Sequence, residues 1–209
     1  MDWTTISSLA TAGGTLVLAA ATFSSVRTSQ RATRATERAL QVSLRPVLLP
    51  SRYEDPTEKV MFVDSHWLKV DGGRFGIDVT DENIYMVLPL RNVGNGLAVL
   101  DRWDIRPGRL TAEVEPNDLS TYRRLTRDLY IAGGDHGFWQ GALRDPSEPI
   151  FRQVREQAEG EGLLTLDLLY GDHEGGQRTI TRFGLTRNDQ GVWFASGSRY
   201  WYLETGAPR

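Results

Sequence analysis

Residues 3–26 carry no charged side chain, and an arginine series begins at Arg27. An uncharged run of about 24 residues covers roughly 36 Å as a helix, enough to cross a hydrocarbon core of about 30 Å. Such a stretch has few options: a span, a cleaved leader or a buried core helix. Its centre, Leu16-Val17-Leu18-Ala19-Ala20-Ala21, is apolar, and its flanks are rich in Ser and Thr. Those hydroxyls can bond back to the carbonyl four residues earlier, which softens their presence in lipid. A leader would begin with basic residues, whereas this chain starts Met1-Asp2-Trp3. A core helix is not normally followed by a dense one-sided basic helix. The pattern predicts a transmembrane helix over residues 1–26.

The charge order supplies an orientation. Arg27, Arg31, Arg34 and Arg38 follow the run and fall within roughly 60° of one another on a helix. Positive residues stay on the cytoplasmic side, so the N-terminus is expected outside the cell membrane and the long C-terminal part in the cytoplasm. A basic juxtamembrane helix over 27–43 would also hold membrane lipids through anionic headgroups, at about 1 kcal/mol per Arg. It should stop before Pro46, because the residue preceding a proline is pushed toward extended geometry.

Residues 44–209 are long enough for one domain with its own core. Of 27 acidic and 24 basic residues, two acidic and four basic precede residue 44, which leaves this part acidic by five. That argues against a nucleic-acid partner, which needs a net basic face. No cysteine is present, so neither a disulfide framework nor a Cys-based metal site can form.

Glycines cluster at 72–73, 94–96, 133–134 and 175–176, and short alternating segments lie between them. Ile84, Met86, Leu88 and Leu90 share one face of a predicted strand. Leu97, Val99, Trp103 and Ile105 share one face of the next, with Asp101 as an odd member. Leu164, Leu166, Leu168 and Tyr170 form a third set, and residues 192–203 read as a final aromatic-rich strand. Gly94-Asn95-Gly96 reads as a hairpin turn using positive φ. Pro46, Pro50 and Pro89 suit edges or bulges. A helix is predicted from Asp145 as N-cap with Pro146 at its first position, carrying Ile150, Val154 and Ala158 inward and stopping at Gly160 or Gly162. A second short helix is possible around residues 119–125. The fold expected for 44–209 is a mainly β, antiparallel, Ig-like sandwich with one or two short helices.

Catalytic signatures are missing: no Gly-x-Ser-x-Gly, no His-Glu-x-x-His and no phosphate-binding glycine loop. Each histidine lies near an aspartate, in Asp64-x-His66, Asp135-His136 and Asp172-His173. If these turns converged, His66, His136, Asp172 and His173 could hold a divalent metal and activate water. Asp and His also serve turns locally through hydrogen bonds. Phe138 and Trp139 follow a glycine turn and could form a partner surface or close the core. Arg123, Arg124 and Arg127 could form an anion site or one solvated helix face. No cofactor is expected.

Several stretches together carry a resemblance. They are Glu37-Arg38-Ala39-Leu40 leading into Leu44-Arg45-Pro46-Val47-Leu48, Leu90 through Ala98 with its Asn-x-Gly-x-Gly-x-Ala pattern, Arg127-Asp128-Leu129-Tyr130 with Gly137-Phe138-Trp139-Gln140, and residues 168–177. The chain resembles uncharacterised bacterial single-pass membrane proteins with an N-terminal helix and a small cytoplasmic β-sandwich. The resemblance implies an architecture and supplies no activity. The expectation is a membrane-anchored interaction module with a protein partner; the alternative is a metal-dependent hydrolase built on the Asp and His turns.

Overall fold

The computed structural model describes residues 3–111, 113–160 and 162–204. The chain divides into two compact units, Met1–Ser43 and Leu44–Arg209.

The first unit is one helix, α1 (Trp3–Ser43), about 60 Å long at 1.5 Å per residue. Thr22, Thr28, Thr33 and Thr36 each donate to the carbonyl four residues earlier, at 2.8–3.0 Å. The helix runs unbroken through residues 26 and 27 and ends before Arg45-Pro46, as the proline requires. Among the described residues, no helix is long and apolar enough to cross a membrane. The membrane expectation for 1–26 therefore gains no support here. Leu16 and Val17, the heart of the apolar run, have side chains outside the described set.

In the second unit, β5 (Ile84–Asn92) is the centre of a four-stranded antiparallel sheet. β8 (His136–Leu143) pairs along one edge of it. β4 (Gly76–Val79) and β1 (Leu48–Pro50) follow one another along the opposite edge, opposite residues 84–87 and 90–92. Pro89 sits in the break between them. Its carbonyl accepts from Ser51 N–H, so its missing N–H would point into that break, where the ladder needs no donor. A proline thus occupies a central strand without leaving an acceptor unpaired.

The second sheet has five strands, all antiparallel to their neighbours, in the order β11-β10-β9-β6-β7. They are β6 (Ala98–Pro107), β7 (Arg123–Ile131), β9 (Leu163–Gly171), β10 (Gln177–Arg187) and β11 (Trp193–Glu204). The inward alternation of β5 (Ile84, Met86, Leu88, Leu90) and that of β9 (Leu164, Leu166, Leu168, Tyr170) meet in one buried cluster. Each leucine wholly buried there contributes about 1.5–3 kcal/mol relative to exposure. Two sheets sharing one core fit a β-sandwich. A hairpin of β2 (Glu58–Met61) and β3 (Trp67–Val70) covers the outer face of β5, packing Val60, Phe62 and Val70 on Tyr85 and Val87.

Four local expectations need correction. In β6 the inward set is Ala98, Leu100, Trp103 and Ile105, not Leu97 and Val99. A bulge at Asp101 shifts the register, and two inward residues stand three apart because one residue is extra. The helix α2 (Pro149–Glu159) begins at the second proline, with Glu148 before it. Asp145 instead accepts from Ser147 in the preceding turn. Ile150, Val154 and Ala158 do face the core, joined by Phe151. Around residue 119 only a 3-10 turn, Leu119–Thr121, forms before β7 starts, so Arg123, Arg124 and Arg127 lie on a strand.

Gly94-Asn95-Gly96 is not a hairpin. It carries the chain from β5 in one sheet to β6 in the other, and neither glycine has positive φ. The glycines are needed for close approach. A Cβ on Gly96 would overlap the Leu44 carbonyl, and one on Gly94 the Arg45 carbonyl. Asn92, 1% exposed, ties this corner together. Its Oδ1 accepts from Val47 N–H (3.1 Å) and Gly94 N–H (3.0 Å). Its Nδ2 donates to the carbonyls of Gly96 (2.6 Å) and Ile131 (3.0 Å).

Candidate functional site

The three histidines serve separate neighbourhoods. His66 stacks on Tyr85 near the start of β5, with ring centroids 4.0 Å apart, and its Nε2 lies 2.9 Å from Asp78 Oδ2. His136 stands opposite Arg91 near the end of β5, with Nε2 3.0 Å from Asp55 Oδ1. The two strand positions are six residues apart, roughly 20 Å. His173 lies in the exposed β9–β10 turn of the other sheet, nearest Glu174. Asp172 in that turn accepts from Gly176 N–H. Among the described residues no group of three or more His, Cys, Asp or Glu could hold a metal ion. The alternative ligand set of His66, His136, Asp172 and His173 is not assembled, because the turns sit on different strands and sheets.

Trp139 is fully buried, edge-on to Trp103 at 5.2 Å, so it is core and not surface. Alternation along β8 then sends Phe138 to the opposite face, where it is half-buried on the β2–β3 cluster beneath the Arg127 guanidinium. Arg27, Arg31 and Arg34 are exposed on α1, and Arg27 lies over the Phe23 ring; the Arg38 side chain lies outside the described residues.

What the second unit does assemble is a recess of about 190 Å³ at the corner where edge strands β7 and β8 meet, walled by the β2–β3 turn. β7 brings Arg123, Arg124 and Thr126, β8 brings Gln140, and Arg144 follows it. The corner is open because β7 leaves its ladder. Register jumps from Leu100↔Leu129 to Arg102↔Arg124, so residues 125–128 stand against Asp101 alone. Gly141 at its edge has no room for a side chain, since a Cβ there would overlap the buried Trp139 ring.

Two of the arginines are held from behind. Arg123 pairs with Glu148 and lies over the Trp103 ring. Arg144 Nη2 donates to Asp64 at 3.1 Å. Burial pushes the Asp64 carboxyl up, but the Tyr85 hydroxyl (2.7 Å), the His66 N–H and Arg144 outweigh it and hold the group below its usual range. Tyr85 in turn is pushed up to about 12 by burial and by Asp64. Arg124 has no ion-pair partner among the described residues, and no carboxylate lines the recess.

A second concentration of charge is structural. Asp167 and Arg182, both fully buried, project from the outer faces of β9 and β10. Arg182 Nε and Nη2 each donate to Asp167 at 2.7 Å, and Nη1 donates to the carbonyls of Thr111 and Val114. Arg106 adds a bond to Asp167 at 2.5 Å. Burial raises the nearby Asp104 carboxyl above its ordinary range despite Arg106. The pair pins the covering loop to the sheet.

Sequence reasoning reached Arg123 and Arg124 but put them on a helix, and it missed Arg144 and Gln140. Nothing in the local pattern joins residues 123–124 to residue 144. Asp167 and Arg182 did leave a signal, as lone charges inside apolar strands. The chain matches no protein-family model, and comparison with curated proteins finds no match.

Proposed function

We propose that this chain is a membrane-tethered, non-enzymatic binding module whose recognition surface is the arginine recess at the β7–β8 corner. The recess carries the reading: it is a concave place where a guanidinium without an ion-pair partner among the described residues faces solvent, free of carboxylates. His66, His136 and the buried Asp167–Arg182 pair are engaged within the fold. The tether rests on the uncharged run of residues 3–26, the arginines after it and the likeness to single-helix membrane proteins. The arginines at 27, 31, 34 and 38 would lie at the cytoplasmic headgroups, with the second unit in the cytoplasm and a protein partner the expected binder.

Two measurements test this. The native protein should stay in the membrane pellet through high-salt and carbonate washes, and protease added to intact cells should spare residues 44–209. Release by salt alone removes the tether. Proteins retained from native membranes by the chain should be lost with Arg124→Ala; an unchanged set removes the recess as the recognition surface.

A further inference from the structure

We propose that the β7–β8 recess binds a phosphomonoester dianion, held by Arg123, Arg124 and Arg144 together. This deepens the binding-module reading and rests on it. Arg123 and Arg124 from β7 and Arg144 just after β8 all line one cavity. A carboxylate offers two oxygens, and one guanidinium fork satisfies them. A phosphomonoester carries close to two charges and three terminal acceptor oxygens, which suits three separate forks. Arg124 is unpaired among the described residues and has all five donors to offer. Arg144 uses only Nη2 on Asp64. Gln140, 4% exposed, accepts at Oε1 from Arg127 at 2.8 Å, which fixes the amide and leaves its NH₂ to donate.

Size and field point the same way. About 190 Å³ is below the roughly 300–1,000 Å³ of sites that bury a drug-sized ligand, so the recess takes a head group and leaves the rest of the ligand outside. The second unit is acidic by five, yet this cavity has no carboxylate in its lining. Glu148 and Asp64 offset two of its arginines from behind, so Arg124 supplies the uncompensated charge that draws an anion there. The apolar floor at Trp103 lowers the local dielectric and strengthens each charge-assisted bond. The phosphomonoester could belong to a soluble metabolite or to a lipid headgroup; both present the same terminal group.

The test is calorimetric titration of inorganic phosphate into the detergent-solubilised 209-residue chain. Binding should saturate, and Arg124→Ala should weaken it by about tenfold or more. Arg124→Lys should fall between, because charge survives and the fork does not. Arg152→Ala, an exposed arginine on α2, should stay within about twofold of the unsubstituted chain if the recess and not net charge is responsible. Arg124→Ala breaks no ion pair among the described residues, and an unchanged melting temperature will show that the fold is kept. Repeating the titration in phosphatidylcholine discs with and without phosphatidic acid separates the sources: weakened phosphate binding only with phosphatidic acid identifies a headgroup, and no change identifies a soluble ligand. No saturable binding by about 10 mM phosphate, or equal weakening by Arg124→Ala and Arg152→Ala, overturns the site. If phosphate fails while Arg124→Ala still loses retained proteins, the binding module stands and only its ligand class falls.

Discussion

Replacing Asn92 by alanine should be among the most damaging single changes in the second unit. The side chain is 1% exposed and makes four hydrogen bonds, all to main-chain groups: Val47 N–H, Gly94 N–H, and the carbonyls of Gly96 and Ile131. Truncation removes about 1 kcal/mol of net stabilisation per bond and leaves the two carbonyl partners buried, at about 1–3 kcal/mol each when no water replaces the amide. Allowing for partial hydration of the two N–H groups, the loss should be about 3–5 kcal/mol, a large share of the 5–15 kcal/mol typical of a domain. Asn92→Asp is the sharper variant. It keeps both acceptor bonds but turns a carboxylate toward two carbonyls, so it should be at least as destabilising at neutral pH. Val93→Ala, at a half-exposed neighbour, should change stability by less than about 0.5 kcal/mol. Urea unfolding followed by tryptophan fluorescence would measure all three from midpoints at constant slope. A loss below about 1 kcal/mol for Asn92→Ala would mean that the corner is held by its glycine contacts and not by the amide.

Two further outcomes concern charge. Arg182→Met leaves the buried Asp167 with Arg106 as its remaining charged partner among the described residues and should cost about 3 kcal/mol, whereas Asp167→Leu with Arg182→Met should recover much of that, since a buried pair is replaceable by apolar packing; additive denaturation midpoints would refute this. The Asp64 carboxyl is held below its ordinary value, so its contribution is fully present above the unfolded value of about 4 and is lost as pH falls through the lower folded value. The stability gap between the unsubstituted chain and Asp64→Asn should accordingly be widest above about pH 4 and close toward pH 2; a gap that widens on acidification would show the wrong sign.

The strands that follow strict alternation were readable from the residues, because one buried face imposes a period of two on β5 and β9. β6 defeated the same rule at Asp101: one extra residue shifts the frame while leaving the composition unchanged. The start of α2 was ambiguous because Pro146 and Pro149 suit the first helical position equally well, and contact with Ser147 decides between them. The glycines at 94 and 96 were recognised as a turn, but the reason for them is a backbone passing beside them from residues 44–47, and distance along the chain hides that. The recess was hidden for the same reason. Its arginines become neighbours only when edge strands from two sheets meet, and Trp139, legible as an aromatic after a glycine turn, is a core residue packed against the Trp103 that lines the recess.

The corner at residues 44–48 also sets an order of events during synthesis. Leu48 N–H is held by the Tyr170 hydroxyl, 122 residues further on, and Arg45 by Gln177, 132 residues on. At 5–20 residues per second a ribosome needs roughly 6 to 26 seconds to cover that distance. The Asn92 corner is completed partway through that interval, once Ile131 has been made, and the earliest part of the domain still has neither of these partners. The late hairpins β9–β10 and β10–β11 are local and close quickly once made. Protection of a nascent chain from protease should therefore arrive abruptly, after residue 177 has left the exit tunnel, and a ribosome stalled before that point would hold a chain whose first strand can pair with β5 but lacks its late contacts to Tyr170 and Gln177.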